Sequence, residues 1–93
     1  MLSKIPIDLE KVSKENIDKE ILRAAIIAEL DAINLYEQMA ALADSSDLKV
    51  ILLDVAKEEK THVGEFQELL LRADKEQVEE LKAGKEEVEE ELS

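Results

Sequence analysis

Two long runs of the chain repeat apolar residues at alternating spacings of three and four. The first stripe reads Leu22, Ile26, Glu29, Ile33, Tyr36, Ala40, Ala43, and the second reads Leu48, Leu52, Val55, Glu59, His62, Phe66, Leu69. That period places each set on one face of an α-helix. Between them, Asp44-Ser45-Ser46-Asp47 interrupts the apolar rhythm and offers helix caps, which predicts a tight helix–helix turn. Ser13 or Asn16 is the expected N-cap of the first helix, which then runs to about Ala43. The second helix is expected over 47–72. Asp74 with Gln77 three residues later has the form of a capping box opening a shorter third helix. Gly84 is expected to stop that helix at Ala83, with a further short helical stretch over 85–92. Residues 1–15, which include Pro6, read as an arm, so the partition is an arm over 1–15, a hairpin over 16–73 and a short helical segment over 74–93. The fold class is all-α.

Three positions in these stripes break the apolar rule. Glu29, Glu59 and His62 hold core phases but carry two carboxylates and the only imidazole of the chain. An ionised carboxylate in such a place costs several kcal/mol unless it is paired or binds a metal. In a hairpin turning at 44–47, residues equally far from the turn face each other, and this puts all three at nearly the same level. The Glu-x-x-His spacing of Glu59 and His62 places both heads on one helical face. Glu37 is off the apolar phase and off the level, and is a poor ligand candidate. Tyr36 lies one heptad beyond Glu29 and is either a core tyrosine or a hydrogen-bonding neighbour of the ligands. Asp31 and Glu58 flank the triad off the buried phase and read mainly as solvated groups, with a secondary cation site on the path inward as the lesser reading. Glu65 is one turn from His62 and within reach of its ring as an acceptor.

One Glu on one helix and a Glu-x-x-His on the other make half of a carboxylate-bridged di-iron site. With a single histidine per chain, two copies related by a two-fold axis are needed to complete it. The same pairing would close the apolar stripe of the hairpin into a four-helix bundle, so the expected architecture is an antiparallel two-helix hairpin plus a short C-terminal helix, dimerising into a ferritin-like bundle. Glu59 is the candidate bridge between two ions, since the Glu of a Glu-x-x-His pair commonly bridges in di-iron sites.

The composition narrows the rest. Ninety-three residues allow one domain with a thin core. Cysteine is absent, which removes disulfides and thiolate metal sites and is compatible with a cytoplasmic location. A formal charge of −12 argues against nucleic acid as a partner and favours the gathering of cations. No apolar run is long enough for a membrane span. Dense Glu and Lys use otherwise serves to solvate the outer helix faces.

The stretch Ile26-Ile27-Ala28-Glu29-Leu30-Asp31-Ala32-Ile33-Asn34-Leu35-Tyr36-Glu37-Gln38-Met39 and the stretch from Asp54 to Phe66, with Glu58-Glu59-Lys60-Thr61-His62-Val63-Gly64 at its heart, resemble the paired helix motifs of the encapsulated ferritins. The resemblance runs from about Glu20 to Leu81. It implies iron ligation by Glu29, Glu59 and His62 with Tyr36 nearby, and dimers that assemble further, commonly into a decameric ring. It also implies Fe(II) oxidation for storage inside an encapsulin nanocompartment, with the shell protein a partner in trans or fused in cis. No targeting peptide is discernible after Leu81, which suits the fused arrangement. Where some members carry an aromatic beside the tyrosine and further carboxylates along the iron path, this chain has Leu35 and Ala28, leaving Asp31 as a candidate ligand on that path.

The leading reading is therefore a ferroxidase whose cofactor is iron at a di-iron site, half a site per chain. One alternative is a non-redox helical assembly module in which a structural metal or the buried polar triad sets register. Another is a rubrerythrin-like peroxide-reducing di-iron protein, against which stands the lack of cysteines for a rubredoxin-type centre.

Overall fold

The structure is a computed structural model that describes residues 11–93; most of the expected arm therefore lies outside the described residues. Among them it is all-helical: α1 spans Ile17–Leu42, α2 Ser46–Ala73 and α3 Lys75–Leu92. Asn16 occupies the N-cap position of α1 but does not cap it with its side chain. Its amide Nδ2 instead donates to Ser13 Oγ at 3.2 Å, so the two candidate caps satisfy each other. The α1–α2 turn is only three residues long and lies one position earlier than the pattern suggests. Of the candidate caps in the turn, Ser45 caps α2, its Oγ accepting from the Leu48 N–H at 3.2 Å.

So short a turn forces the two helices antiparallel. The cross-helix pairs show it directly, since partners of Arg23, Glu29 and Glu37 on the far strand of the hairpin are Asp74, His62 and Lys60 in descending order. Among the described residues, Ile33, Ala40, Ala56 and Leu70 are the buried apolar ones, and no large side chain is fully enclosed. Alanines at 40 and 56 carry little side chain to bury, so the seam of α1 and α2 is a thin core.

Asp74 ends α2 and begins α3. Its Oδ1 accepts from the Gln77 N–H at 3.1 Å, and its Oδ2 from Arg23 Nη2 of α1 at 3.0 Å. The Gln77 N–H, and after it the Arg23 guanidinium with Lys19, holds the Asp74 carboxyl below its ordinary value of 3.8 against the opposing effect of burial. The helix break at Asp74 aims α3 away from the hairpin, and among the described elements α3 touches α2 alone. The molecule measures 46 × 45 × 20 Å, with two long axes in place of the single one that a hairpin alone would give.

Gly84 does not stop α3. A glycine stop needs a left-handed backbone, and none of the described residues has positive φ. One interior glycine costs about 1 kcal/mol relative to alanine, too little to break a run otherwise built of Glu, Lys, Leu and Val. The expected short helix over 85–92 is thus the second half of α3.

Asp31 is also placed differently from its sequence reading. It is buried, at 5% exposure, although it lies on the side of α1 opposite the seam with α2. The phase argument reckoned with a single neighbouring helix, and helical phase gives the face a residue occupies without giving its exposure.

Candidate metal centre

Halfway along the hairpin, α1 presents Glu29 while α2 presents Glu59 and His62. His62 Nδ1 lies 3.4 Å from Glu59 Oε2 and 3.5 Å from Glu29 Oε2. One ligand-type atom from each residue falls within 4.8 Å of the others, and this is the one such group found among the described residues. The two glutamates are mostly enclosed, with side chains 20% and 18% exposed, while the imidazole is 45% exposed. Each is at its position because its helical phase points into or beside the seam, and because the short turn sets α1 and α2 in this register.

The arrangement is unfinished as a protein-only hydrogen-bond network. A neutral imidazole can donate from Nδ1 to only one carboxylate. Glu29 Oε2 is buried and has no hydrogen-bond partner. A buried carboxylate oxygen without a donor is costly unless something cationic meets it. For metal–ligand bonds of about 2.1 Å, ligand atoms around one ion stand about 3.0 Å apart at right angles and about 3.4 Å apart at the tetrahedral angle. The two separations from His62 Nδ1, 3.4 and 3.5 Å, are long for a hydrogen bond and close to the spacing of atoms that share an ion. Carboxylate oxygens with an imidazole form a donor set for divalent first-row metals, iron included. The donors therefore fit the metal that the sequence implies, and three of them leave coordination positions to be filled from elsewhere.

Tyr36 is half-buried on the same stripe, and its hydroxyl makes no hydrogen bond to the carboxylates. Asp31 is not brought to the cluster; it sits across α1 from it. Glu58 is exposed. Glu65 is exposed too and does not take the imidazole N–H. Glu37 pairs with Lys60 at 3.4 Å on the opposite face of the hairpin, both side chains well exposed. Sequence reasoning did not find the Arg23–Asp74 tie, because the two residues are 51 positions apart, Arg23 falls in no motif and the capping box accounts for Asp74 locally.

His62 faces a surface that carries much of the exposed apolar area of the hairpin. Ile21 and Met39 of α1 and Leu48, Ile51 and Leu69 of α2 are all exposed on the side to which His62 points. Ile21, Leu22 and Leu69 line a shallow groove there, with Asp18 and Ala73 at its edges.

Comparison with known proteins agrees with these observations. The EncFtn-like family profile matches residues 5–89. A ferritin-like–encapsulin shell fusion protein of Pyrococcus furiosus is 69% identical over 71 residues, covering 76% of this chain and 21% of that protein. The encapsulin nanocompartment cargo protein EncC of Myxococcus xanthus is 44% identical over 69 residues, covering 71% of this chain and 53% of that protein. The chain thus spans about a fifth and about half of the length of these two curated relatives. The crystal structure of the encapsulated ferritin domain from Pyrococcus furiosus superposes with a TM-score of 0.83 at 59% identity, covering 97% of this chain and 94% of that one. With the helical hairpin, its carboxylate–imidazole cluster and these relatives in agreement, the chain belongs to the EncFtn-like family, the encapsulated ferritins.

Proposed function

We propose that the chain is a ferroxidase that oxidises Fe(II) with O₂ at a site shared by two copies, supplying iron for storage inside an encapsulin shell. The observation that carries this reading is the convergence of Glu29, Glu59 and His62, with a buried Glu29 oxygen lacking any donor, beside an exposed apolar face. Two-fold pairing through that face would cover Ile21, Met39, Leu48, Ile51 and Leu69. It would also bring together four carboxylates and two imidazoles, the ligand set of a di-iron bundle. Fe(II) is the substrate here. Each pair of ions would give up two electrons, and O₂, taking these with two protons from solvent, would leave as hydrogen peroxide without a one-electron oxygen radical. Glu29, Glu59 and His62 bind and space the ions; no protein nucleophile is required. The oxidised iron must leave the site, because a four-helix bundle has no interior space for mineral, and the shell would provide the storage volume. The names of the relatives support encapsulin as the partner, joined in cis as in the fusion protein or in trans as for the cargo protein. A ring of such dimers, a decamer by resemblance, belongs to the same proposal.

A non-redox register module remains the second reading, favoured by the 3.4 Å contact of His62 Nδ1 with Glu59. The unpartnered Glu29 oxygen weighs against it, since a purely structural polar triad would be expected to satisfy its members.

Anaerobic Fe(II) titration followed by exposure to O₂, with absorbance and native mass read together, tests the proposal. The expected result is saturation at about one iron per chain, rapid oxidation, and loss of that oxidation in Glu59→Ala and His62→Ala. Undiminished oxidation kinetics in both variants would refute it.

A further inference from the structure

The joint between α2 and α3 is a single residue. Ala73 ends α2, Lys75 begins α3, and Asp74 alone leaves the helical range, at φ −138° and ψ 93°. Sharp breaks in helices have identifiable causes, proline and glycine foremost. Neither is present here. From Glu65 to Gln77 the chain holds no glycine, proline or β-branched residue. Leu, Ala, Arg, Lys, Glu and Gln, which make up most of that stretch, are strong helix formers.

The apolar phase also runs straight through the break. Leu71, Asp74, Val78, Leu81, Val88 and Leu92 keep one phase of threes and fours without a slip. An uninterrupted helix over 46–92 would carry them as one line on one face. A chain adapted to the bent course alone has no need to keep phase across the joint.

Packing does little to oppose straightening. The α1–α2 turn is fixed by the seam on which those two helices pack, whereas α3 has no buried residue. A helix start leaves four N–H groups outside its ladder, and an unbroken helix would bond them. Asp74 offsets this with both carboxylate oxygens. Its Oδ1 accepts from the Gln77 N–H at 3.1 Å and its Oδ2 from Arg23 Nη2 at 3.0 Å. Lys19 of α1 adds a second cation facing it. The Arg23 side chain is 51% exposed, so salt competes for this tie.

We propose that Asp74 is a conformational latch between two courses of α3. The bent course holds while the carboxylate caps α3 and grips Arg23. When it is deprived of these contacts, α2 and α3 merge into one continuous helix. The bent molecule is 46 Å in its longest dimension, while the merged helix alone would be about 70 Å long. The switch moves the far end of α3 and leaves Glu29, Glu59 and His62, halfway along the hairpin, in place. The inference goes beyond the proposed function and does not depend on the metal chemistry.

Pulsed electron spin resonance distances on the full chain, spin-labelled at Lys57→Cys and Lys85→Cys, test it. The chain has no cysteine of its own to interfere. Assembly with an excess of unlabelled chains confines the signal to pairs within one chain. A continuous helix puts the two positions about 42 Å apart, and the bend brings them closer. The otherwise unaltered chain is expected at the shorter distance. Asp74→Leu, which removes cap and charge together and favours helix, should move the whole population to one narrow peak at about 42 Å. Arg23→Gln keeps the cap and loses the tie, and should show both distances. The short distance alone in either variant would overturn the inference. So would a broad distribution in Asp74→Leu, the mark of an α3 that detaches without joining α2.

Discussion

Replacing Glu29 by glutamine should stabilise the metal-free protein while abolishing its response to iron. The carboxylate oxygens of Glu29 and Glu59 offered to the site lie within 4.8 Å of each other, and Glu29 Oε2 accepts no hydrogen bond. Two unit charges at that separation repel by about 1 kcal/mol in water and by about 3.5 kcal/mol at the effective dielectric of about 20 that suits protein sites. The glutamates are mostly enclosed, but His62 opens the site to solvent. A gain of about 1–2 kcal/mol for Glu29→Gln is the reasonable expectation, since the amide carries no charge and brings a donor. For a domain of this size that corresponds to a rise in melting temperature of roughly 4–8 °C per kcal/mol. The assay is thermal unfolding by circular dichroism in chelator and in anaerobic Fe(II), at one fixed chain concentration because assembly itself shifts the transition. Wild type should melt lower than the variant in chelator and rise on adding Fe(II); the variant should rise little. A variant that melts below wild type in chelator, or that keeps the full iron-induced rise, would refute the argument that this carboxylate is held in a costly place for a cation.

Two further predictions concern groups away from the cluster. Asp74 has its carboxyl pKa lowered in the folded chain, so its contribution is present above the ordinary carboxylate value of 3.8 and is lost as pH falls below it through the lowered value. Asp74→Asn keeps a good N-cap but removes the charge facing Arg23. Helicity followed from pH 6 to pH 2 should therefore show a smaller acid-induced loss in the variant, and identical acid transitions would contradict the assignment. Glu37→Ala should change stability by less than about 0.5 kcal/mol, because its pair with Lys60 is exposed on both sides. It should leave Fe(II) oxidation unchanged; a clear kinetic defect would show that the ligand set reaches further along α1 than the geometry indicates.

The hairpin was legible because its signals are local and mutually consistent. The apolar periods of the two runs and the short polar break between them, with its candidate caps, all specify two long helices and a turn. The three candidate ligands could be singled out because each occupies a core phase with the wrong chemistry, and the turn position then fixes their common level. Asp31 defeated the same logic, since helical phase tells which face a residue occupies but not whether something covers that face. Gly84 misled for a different reason. A glycine signals a stop only when the backbone turns left-handed, and the surrounding residues decide whether it does.

By itself, then, the sequence determined the helical class, the hairpin and its register, and the identity of the residues brought to one level, all of which follow from period and spacing along the chain. The tertiary structure decided what no period encodes: that Glu29 Oε2 is left without a donor, that His62 points toward an apolar surface, and that Arg23 reaches Asp74 across 51 positions to set the course of α3. These depend on which side of each helix is covered and on contacts between distant residues. Such contacts are fixed only when the whole chain has packed.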